Sequence, residues 1–267
     1  MTDRTGQPAA PVHRSVSTWQ QPLPASASPD RAAVVSVVGD RLLRLGPQRL
    51  RVGIDGLTAA GKTSFGHELA EYVSRADRPV LRASLDDFKR PWRERHLYDR
   101  ESGPGYYRNA FDYDAVIRLL LDPAAPDGSG ACVLCSIDPL TQIDHSDVVT
   151  PAADDAVLVV DGVFAFRPEI NDLWDYRIWL DIHPQESIRR GAARDQDGLA
   201  GRGGASRPLP AGRAALPRRG RSASPGRRRD RQQRLREAPD PARAVAGSDM
   251  PLGGAGSAPP SDGSCSG

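Results

Sequence analysis

The residues at positions 56–63 have the spacing G-x-x-x-x-G-K-T, which is typical of loops that bind phosphate. Glycines let consecutive backbone N–H groups turn toward phosphate oxygens, and a helix that begins in the loop directs its positive end at the same anion. An ordinary glycine-rich turn is the alternative, but a strand before the loop and a helix after it favour the phosphate site. The pattern predicts binding of ATP by Gly56, Leu57, Thr58, Ala59, Ala60, Gly61, Lys62, Thr63 and Ser64.

Two of these side chains have a specific expected chemistry. Lys62 is placed to reach the β- and γ-phosphates, and the Thr63 hydroxyl is placed to bind Mg²⁺. Asp161 follows the unbroken apolar run 156–160 and is the expected second partner of the metal or of its water. An aspartate that only caps the end of a strand is the alternative interpretation.

These residues need elements that bring them together. Apolar runs predict strands over 49–55, 79–84, 131–137, 156–160 and 176–180. Helical spacing, with Ser28 and Pro29 as a start signal, predicts helices over 28–45, 62–75, 113–121 and 184–194. Residues 89–111 are expected to be irregular. Strands that alternate with helices predict an α/β protein, here a P-loop NTPase three-layer fold with a mostly parallel sheet.

Residues 50–195 resemble the uridine kinase and phosphoribulokinase family of P-loop kinases. Four segments carry the resemblance: 54–63 with the phosphate loop, Ser-Leu-Asp-Asp-Phe at 84–88, 106–115 with Asn-Ala-Phe-Asp, and 157–195 with Asp161-Gly162 and Ser-Ile-Arg-Arg-Gly-Ala-Ala-Arg-Asp. One departure is Lys89, which stands where uridine kinases commonly have a tyrosine.

The resemblance assigns roles on the acceptor side of the site. It implies that Asp86 accepts the proton of the attacking hydroxyl, and that Asp112 holds the ribose hydroxyls. It also implies that Arg190 and Arg194 neutralise the transferring phosphoryl group, and that the acceptor contacts Phe88 and His145. Helix N-caps are the alternative for both aspartates, a solvated helix face is the alternative for the arginines, and a surface histidine is as good a description of His145.

The expected function is ATP-dependent phosphoryl transfer to the hydroxyl of a small molecule, with the 5′-hydroxyl of a nucleoside as the first candidate. Pantothenate or a sugar phosphate is an alternative acceptor. An inactive or regulatory P-loop nucleotide-binding protein is the alternative of another class. The net charge of +2 indicates no specific nucleic-acid partner, and without an apolar run of about 20 residues we expect no membrane span and a cytoplasmic protein.

The composition divides the chain into three parts. Residues 1–27 are expected to be a disordered leader, 28–197 the P-loop kinase domain, and 198–267 a disordered tail. From position 201 onward the chain has 13 arginines, no aromatic residue, and 21 glycines and prolines among 67 residues, which cannot supply a core-packed strand. The domain would therefore lack its C-terminal end.

A shift of reading frame near 196–205 would explain this tail. One set of codons for 227–237, read one base later, gives Asp-Val-Val-Ile-Asp-Asn, which resembles the last strand of the family. Residues 206–217 treated in the same way resemble its tyrosine-containing helix. A genuine basic tail that attracts polyanions is the alternative. Sequencing the gene tests the idea, because a single-base slip must restore both segments.

Cys132 and Cys135 form a C-x-x-C pattern inside an apolar run, with no second pair of ligands after it. We expect buried strand cysteines rather than a metal or redox site.

Overall fold

The computed structural model describes residues 9–19, 27–94, 97, 99, 102–201 and 243–245, with side chains up to 193 in the last helix. The described strands are β1 (Val12–Arg14), β2 (Leu50–Gly56), β3 (Val80–Ser84), β4 (Ala131–Val133), β5 (Val149–Pro151), β6 (Val157–Asp161), β7 (Tyr176–Asp181) and β8 (Arg243–Val245). Six of them form a sheet in the order β1-β3-β6-β2-β7-β8, in which every neighbouring pair is parallel. The carboxyl ends of these strands therefore share one edge.

The described helices are α1 (Pro29–Leu43), α2 (Lys62–Arg75), α3 (Gly103–Asn109), α4 (Tyr113–Ala115) and α5 (Pro184–Gly201). A π-helical turn at Val116–Leu121 continues α4, and a 3-10 turn at Leu85–Phe88 follows β3. Ser28 caps α1 as predicted, since its Oγ accepts the N–H of Arg31 at 3.4 Å.

The strand β6 shows why the fold has three layers. All five of its residues are buried, and they divide by alternation between the two faces of the sheet. Val157 and Val159 pack into a core with α1 and α2, whereas Leu158 and Val160 pack into a core with the 106–121 region. A strand buried on both faces reads as a continuous apolar run, which is how the sequence identified it.

Two predicted elements differ from the structure. The strand expected over 131–137 ends at Val133 and pairs antiparallel with β5, outside the main sheet. The N–H groups of Ser136 and Ile137 instead donate to the Asp87 carbonyl at 3.0 and 3.1 Å, so the chain leaves the strand direction there. The segment 89–111, expected to be irregular, contains α3, which Ser102 caps.

The expectation of a disordered leader over 1–27 is wrong for residues 9–19. Val12–Arg14 forms β1, which pairs with β3 at the edge of the sheet, and Pro11 accepts the N–H of Val80 at 2.9 Å. The free edge of β3 needs backbone partners, and a short extended segment can supply them whatever its composition. Residues 1–8 and 20–26 lie outside the described part of the chain.

The C-terminal prediction also needs one correction. Within the expected disordered tail, residues 243–245 form β8 beside β7. This pairing uses backbone groups and so does not require apolar side chains. Residues 202–242 and 246–267, and with them the frame question, lie outside the described residues, and the domain limits 28–197 stay a prediction. No helix within the described ranges is long and apolar enough to cross a membrane.

Candidate active site

The phosphate loop joins the end of β2 to the start of α2, as the sequence predicted. Gly56 has φ +150°, and a Cβ added there would lie 2.5 Å from the Leu180 carbonyl oxygen, so the close approach of β7 requires glycine. Ala59 and Gly61 also have positive φ, at 57° and 88°. Left-handed residues in a turn direct backbone N–H groups inward, which is the backbone geometry that holds phosphate.

Lys62 is buried and its ammonium points back over the loop. It donates to the carbonyl of Gly56 at 3.0 Å and to that of Leu57 at 2.9 Å. An ammonium that bonds to loop carbonyls in this way can exchange them for phosphate oxygens. The loop and Lys62 together fit the triphosphate of ATP, which the sequence predicted as the ligand.

Thr63 and Asp161 are brought together at the edge of the sheet. The Thr63 hydroxyl donates to Asp161 Oδ2 at 2.6 Å, and Ser84 Oγ donates to the backbone carbonyl of Asp161 at 3.2 Å. A hydroxyl and a carboxylate are the hard oxygen ligands that Mg²⁺ prefers. The two residues fit the predicted metal pair, although metal binding itself stays a prediction.

Arg82 is a member of the site that the sequence reading missed. It is buried in β3, and its guanidinium lies 2.5 Å from Asp161 Oδ1. It also donates to the carbonyls of Ala83 and Val159. An arginine inside the short apolar strand Val80–Ser84 was the available signal, because a buried cation requires an anionic partner.

A second missed cluster connects Arg82 to the N-terminal strand. His67 lies on α2, and its Nδ1 is 2.7 Å from the Arg14 guanidinium, which also pairs with Glu71 at 2.9 Å. Burial, together with the charges of Arg82 and Arg14, lowers the pKa of His67 to about 4, although Asp161 acts in the opposite direction. His67 is therefore neutral at pH 7, with Nδ1 accepting from Arg14.

Asp55, one residue before the loop, fixes the segment after β6. Its carboxylate accepts the N–H of Gly56 at 2.7 Å, of Phe164 at 3.2 Å and of Phe166 at 3.0 Å. Burial raises the pKa of Asp55, while these bonds and Lys62 act in the opposite direction. The contacts tie the phosphate loop to the chain that follows Asp161.

Asp86 is half-buried in the 3-10 turn after β3. Ser84, not Asp86, caps this turn, because Ser84 Oγ accepts the Asp86 N–H at 3.3 Å. Lys89 lies 2.8 Å from Asp86 Oδ1. Burial raises the pKa of Asp86, but Lys89, Lys62 and a hydrogen bond from Trp19 together hold it below its ordinary value. The carboxylate is therefore ionised at pH 7, as a proton acceptor must be.

The other residues expected on the acceptor side lie in different environments. Phe88 is fully buried in the core, so the expectation that it contacts the acceptor is wrong: it has no surface to offer. Asp112 is the N-cap of α4, with Oδ1 accepting the Ala115 N–H at 3.1 Å, and its Oδ2 lies 4.0 Å from Arg90. The alternative interpretation of Asp112 as a helix N-cap is therefore confirmed, and its Oδ2 is not used by the cap.

Of the two arginines predicted to contact the transferring phosphoryl group, the structure describes the side chain of Arg190. Arg190 is exposed on α5 and pairs with Glu186 at 2.5 Å, while Ser187 Oγ donates to the Thr58 carbonyl at 2.6 Å. This contact puts the start of α5 beside the phosphate loop. The side chain of Arg194 lies outside the described part of the helix.

The His145 backbone N–H donates to the Ser136 carbonyl at 2.8 Å, on the segment that bonds to Asp87. Contact of His145 with a nucleobase stays a prediction.

The two cysteines of the C-x-x-C pattern are buried and free. Burial raises the pKa of the Cys132 thiol to about 11 and that of Cys135 to about 12. Both are neutral thiols at pH 7. Cys132 lies in β4 as expected, whereas Cys135 lies after the end of that strand. Neutral buried thiols are poor nucleophiles and poor metal ligands.

Comparison with known proteins gives structural likeness only. No protein-family model and no curated protein matches the sequence. A protein described as a possible uridine kinase from Bacillus stearothermophilus matches with a TM-score of 0.47 and 21% identity, over 64% of this chain and 91% of that one. A candidate fructose transport system kinase from Silicibacter sp. TM1040 matches with a TM-score of 0.50 and 19% identity, over 65% of this chain and 84% of that one. The second likeness agrees with the parallel sheet and confirms the predicted three-layer α/β fold.

Proposed function

We propose that this protein transfers the γ-phosphoryl group of ATP to the hydroxyl of a small molecule. The observation that carries the proposal is the placement of Asp86 relative to the phosphate loop. Asp86 is an ionised carboxylate on the turn after β3, within electrostatic range of Lys62 on the loop after β2. The hydrogen bond from Ser84 to the Asp161 carbonyl joins the end of β3, which precedes Asp86, to the end of β6.

The residues have distinct roles in this reaction. The loop amides and Lys62 hold the phosphates, and Thr63 with Asp161 would hold Mg²⁺. When bound, Mg²⁺ neutralises charge that develops on the phosphate oxygens. Asp86 accepts the proton of the acceptor hydroxyl, whose oxygen then bonds to the γ-phosphorus as the bond to ADP breaks. Phosphoryl transfer depends mainly on such positioning and charge neutralisation, so a well-placed base of low pKa is sufficient.

A nucleoside is the first candidate for the acceptor. Asp112 supports it, because its Oδ2 is not used by the helix cap and a carboxylate can accept bonds from vicinal hydroxyls. The similar structure described as a fructose transport system kinase is consistent with phosphoryl transfer.

An anionic acceptor, such as pantothenate or a sugar phosphate, is the second candidate. It is favoured by two cations on the acceptor side, Lys89 beside Asp86 and Arg90 beside Asp112. These side chains are only partly buried, at 32% and 26% exposed, so an acceptor carboxylate or phosphate could reach them.

The test is release of ADP from Mg·ATP by the full chain in the presence of nucleosides, pantothenate and sugar phosphates, each added separately. We expect ADP release that depends on one acceptor class, with the phosphorylated product identified by mass. Lys62→Ala serves as the control for contaminating activity, since it removes the ammonium that is expected to contact the phosphates.

Two results would contradict the proposal. ADP release that is independent of every acceptor indicates an ATPase. Absence of turnover, combined with stabilisation of the fold by nucleotide, supports the alternative of a nucleotide-binding protein without kinase activity.

A further inference from the structure

The N-terminal strap, defined here as residues 9–19, runs along the edge of the sheet toward the acceptor side. At its start the Ala10 N–H donates to the Ser74 carbonyl at 3.0 Å. In its middle β1 pairs with β3, and the Ser15 N–H donates to the Arg82 carbonyl at 3.1 Å. The strap is thus fixed to α2 and to the strand that precedes Asp86.

The end of the strap is held on both sides of Asp86. The backbone N–H and the hydroxyl of Thr18 donate to the buried Asp138 carboxylate at 2.6 and 3.0 Å. The hydroxyls of Ser15 and Ser17 bond to Asp87, and Ser17 is itself buried. Asp87 neighbours Asp86 in the chain, and Asp138 follows the segment that bonds to the Asp87 carbonyl. These contacts leave little freedom for the residue that comes next.

That residue is Trp19, whose backbone N–H donates to Ser17 Oγ at 3.1 Å and whose indole lies beside the Asp86 carboxylate, where its N–H lowers the pKa of Asp86. The indole N–H can only donate, so it satisfies the carboxylate without competing for its proton. Trp19 is 37% exposed, so the ring also presents surface beside Asp86. A carboxylate has about four lone-pair directions, and bonds from Lys89 and Trp19 leave others for an acceptor hydroxyl.

We propose that Trp19 is a positioning residue for Asp86. The strap brings Trp19 to the acceptor side of the site from outside the core of the fold. This inference rests on the proposed function, in which Asp86 accepts the proton. The indole N–H fixes the carboxylate orientation that Lys89 alone would leave free to rotate, and the exposed part of the ring forms a wall against the acceptor.

The kinetic test distinguishes the contribution of the indole N–H of Trp19 from that of its ring. Trp19→Phe keeps an aromatic ring and removes the donor. We expect a roughly tenfold fall in kcat with an unchanged KM for ATP, the scale of one hydrogen bond to a charged group. The acid limb of kcat against pH should move to higher pH, because the variant loses one bond that lowers the pKa of Asp86. Trp19→Ala should in addition raise the acceptor KM.

A matched control uses Trp92, another exposed tryptophan. Trp92→Phe should leave kcat and the acid limb unchanged. A role limited to stability would lower the unfolding midpoint of Trp19→Phe without moving the pH profile, and that result overturns the inference.

A second measurement does not depend on activity. In protein labelled with 5-fluorotryptophan, the ¹⁹F resonance of Trp19 is assigned by its absence from Trp19→Phe. We expect it to shift with an acid midpoint below 3.8, the ordinary aspartate pKa, and this shift should vanish in Asp86→Asn but persist in Asp87→Asn. An unchanged titration in Asp86→Asn overturns the contact. If no acceptor supports turnover, the proposed function fails, while this titration still decides whether Trp19 and Asp86 are linked.

Discussion

The hydroxyl of Thr63 donates to one oxygen of Asp161 at 2.6 Å, while the guanidinium of Arg82 holds the other oxygen at 2.5 Å. One carboxylate thus connects the phosphate loop on α2 with a buried cation on β3. Its negative charge is balanced within the protein, and its orientation is fixed from two sides. A cation that binds beside Thr63 therefore meets a carboxylate already aligned, and the alignment depends on residues in three separate elements.

The first prediction concerns the Thr63 hydroxyl. Thr63→Val keeps the shape of the side chain but removes the oxygen, so Mg²⁺ should no longer strengthen ATP binding. We expect affinity for Mg·ATP to fall by about tenfold to a hundredfold, the scale of about 1.4 to 2.8 kcal/mol. The measurement is ATP binding with Mg²⁺ and with EDTA. Thr63→Ser retains the hydroxyl and should behave as the unaltered protein does. Equal Mg²⁺ dependence in the valine and serine variants would exclude Thr63 from the metal site.

The second prediction concerns the buried Arg82–Asp161 pair. Arg82→Met leaves Asp161 without its countercharge and should lower the free energy of unfolding by about 3–5 kcal/mol. The double variant Arg82→Met with Asp161→Asn removes both charges and should recover about 1–3 kcal/mol of that loss. Chemical denaturation of the unaltered protein, both single variants and the double variant gives the coupling energy. Additive effects of the two substitutions would show that the pair is not coupled.

The sequence predicted the elements whose signals are local. The phosphate loop, α1 with its Ser28 cap, α2 and the buried strand β6 each appear where spacing or an apolar run placed them. The meeting of Thr63 with Asp161 also followed, because parallel strands end at one edge. Local pattern is sufficient in these cases, since a buried strand or a capped helix is determined largely by its own residues.

The features that were missed depend on distant partners. Arg82 was read only as part of a strand, because its partner is 79 residues away in the chain. The strap was read as disordered, because polar residues before position 20 hide a segment stabilised by backbone bonds to β3. Phe88 was assigned to the acceptor by its place in a motif, whereas packing puts its ring in the core. Composition and spacing do not report such long-range pairings.

The third prediction distinguishes the neighbouring carboxylates Asp86 and Asp87. Asp86→Asn should lower kcat by at least about a hundredfold, the scale of general-base catalysis, while ATP binding is retained. Burial raises the pKa of Asp87 to about 7, so its carboxyl is already partly protonated at neutral pH and an asparagine should replace it with little effect. Acceptor-dependent ADP release by the two variants is the measurement. A large loss in Asp87→Asn with normal activity in Asp86→Asn would reverse the assignment of the base.

The fourth prediction is a pH dependence of stability that His67 causes. Its pKa is lowered from 6.5 to about 4, so protons bind the unfolded chain more tightly than the folded one over that range. The resulting stability is fully present above pH 6.5 and is lost as the pH falls toward 4. Between about pH 7.5 and 5 the loss amounts to about 2 kcal/mol.

The measurement for His67 is the denaturant midpoint at several pH values, compared with His67→Gln. Glutamine can accept the Arg14 hydrogen bond but does not titrate. When the pH falls from about 7.5 to 5, the free energy of unfolding of the variant should therefore decrease by about 2 kcal/mol less than that of the unaltered protein. Subtracting the two curves removes the contribution of carboxylates, which titrate in both proteins. Parallel curves would mean that His67 takes up its proton in the folded state near its ordinary pKa, and that Arg14 and Arg82 do not keep it neutral.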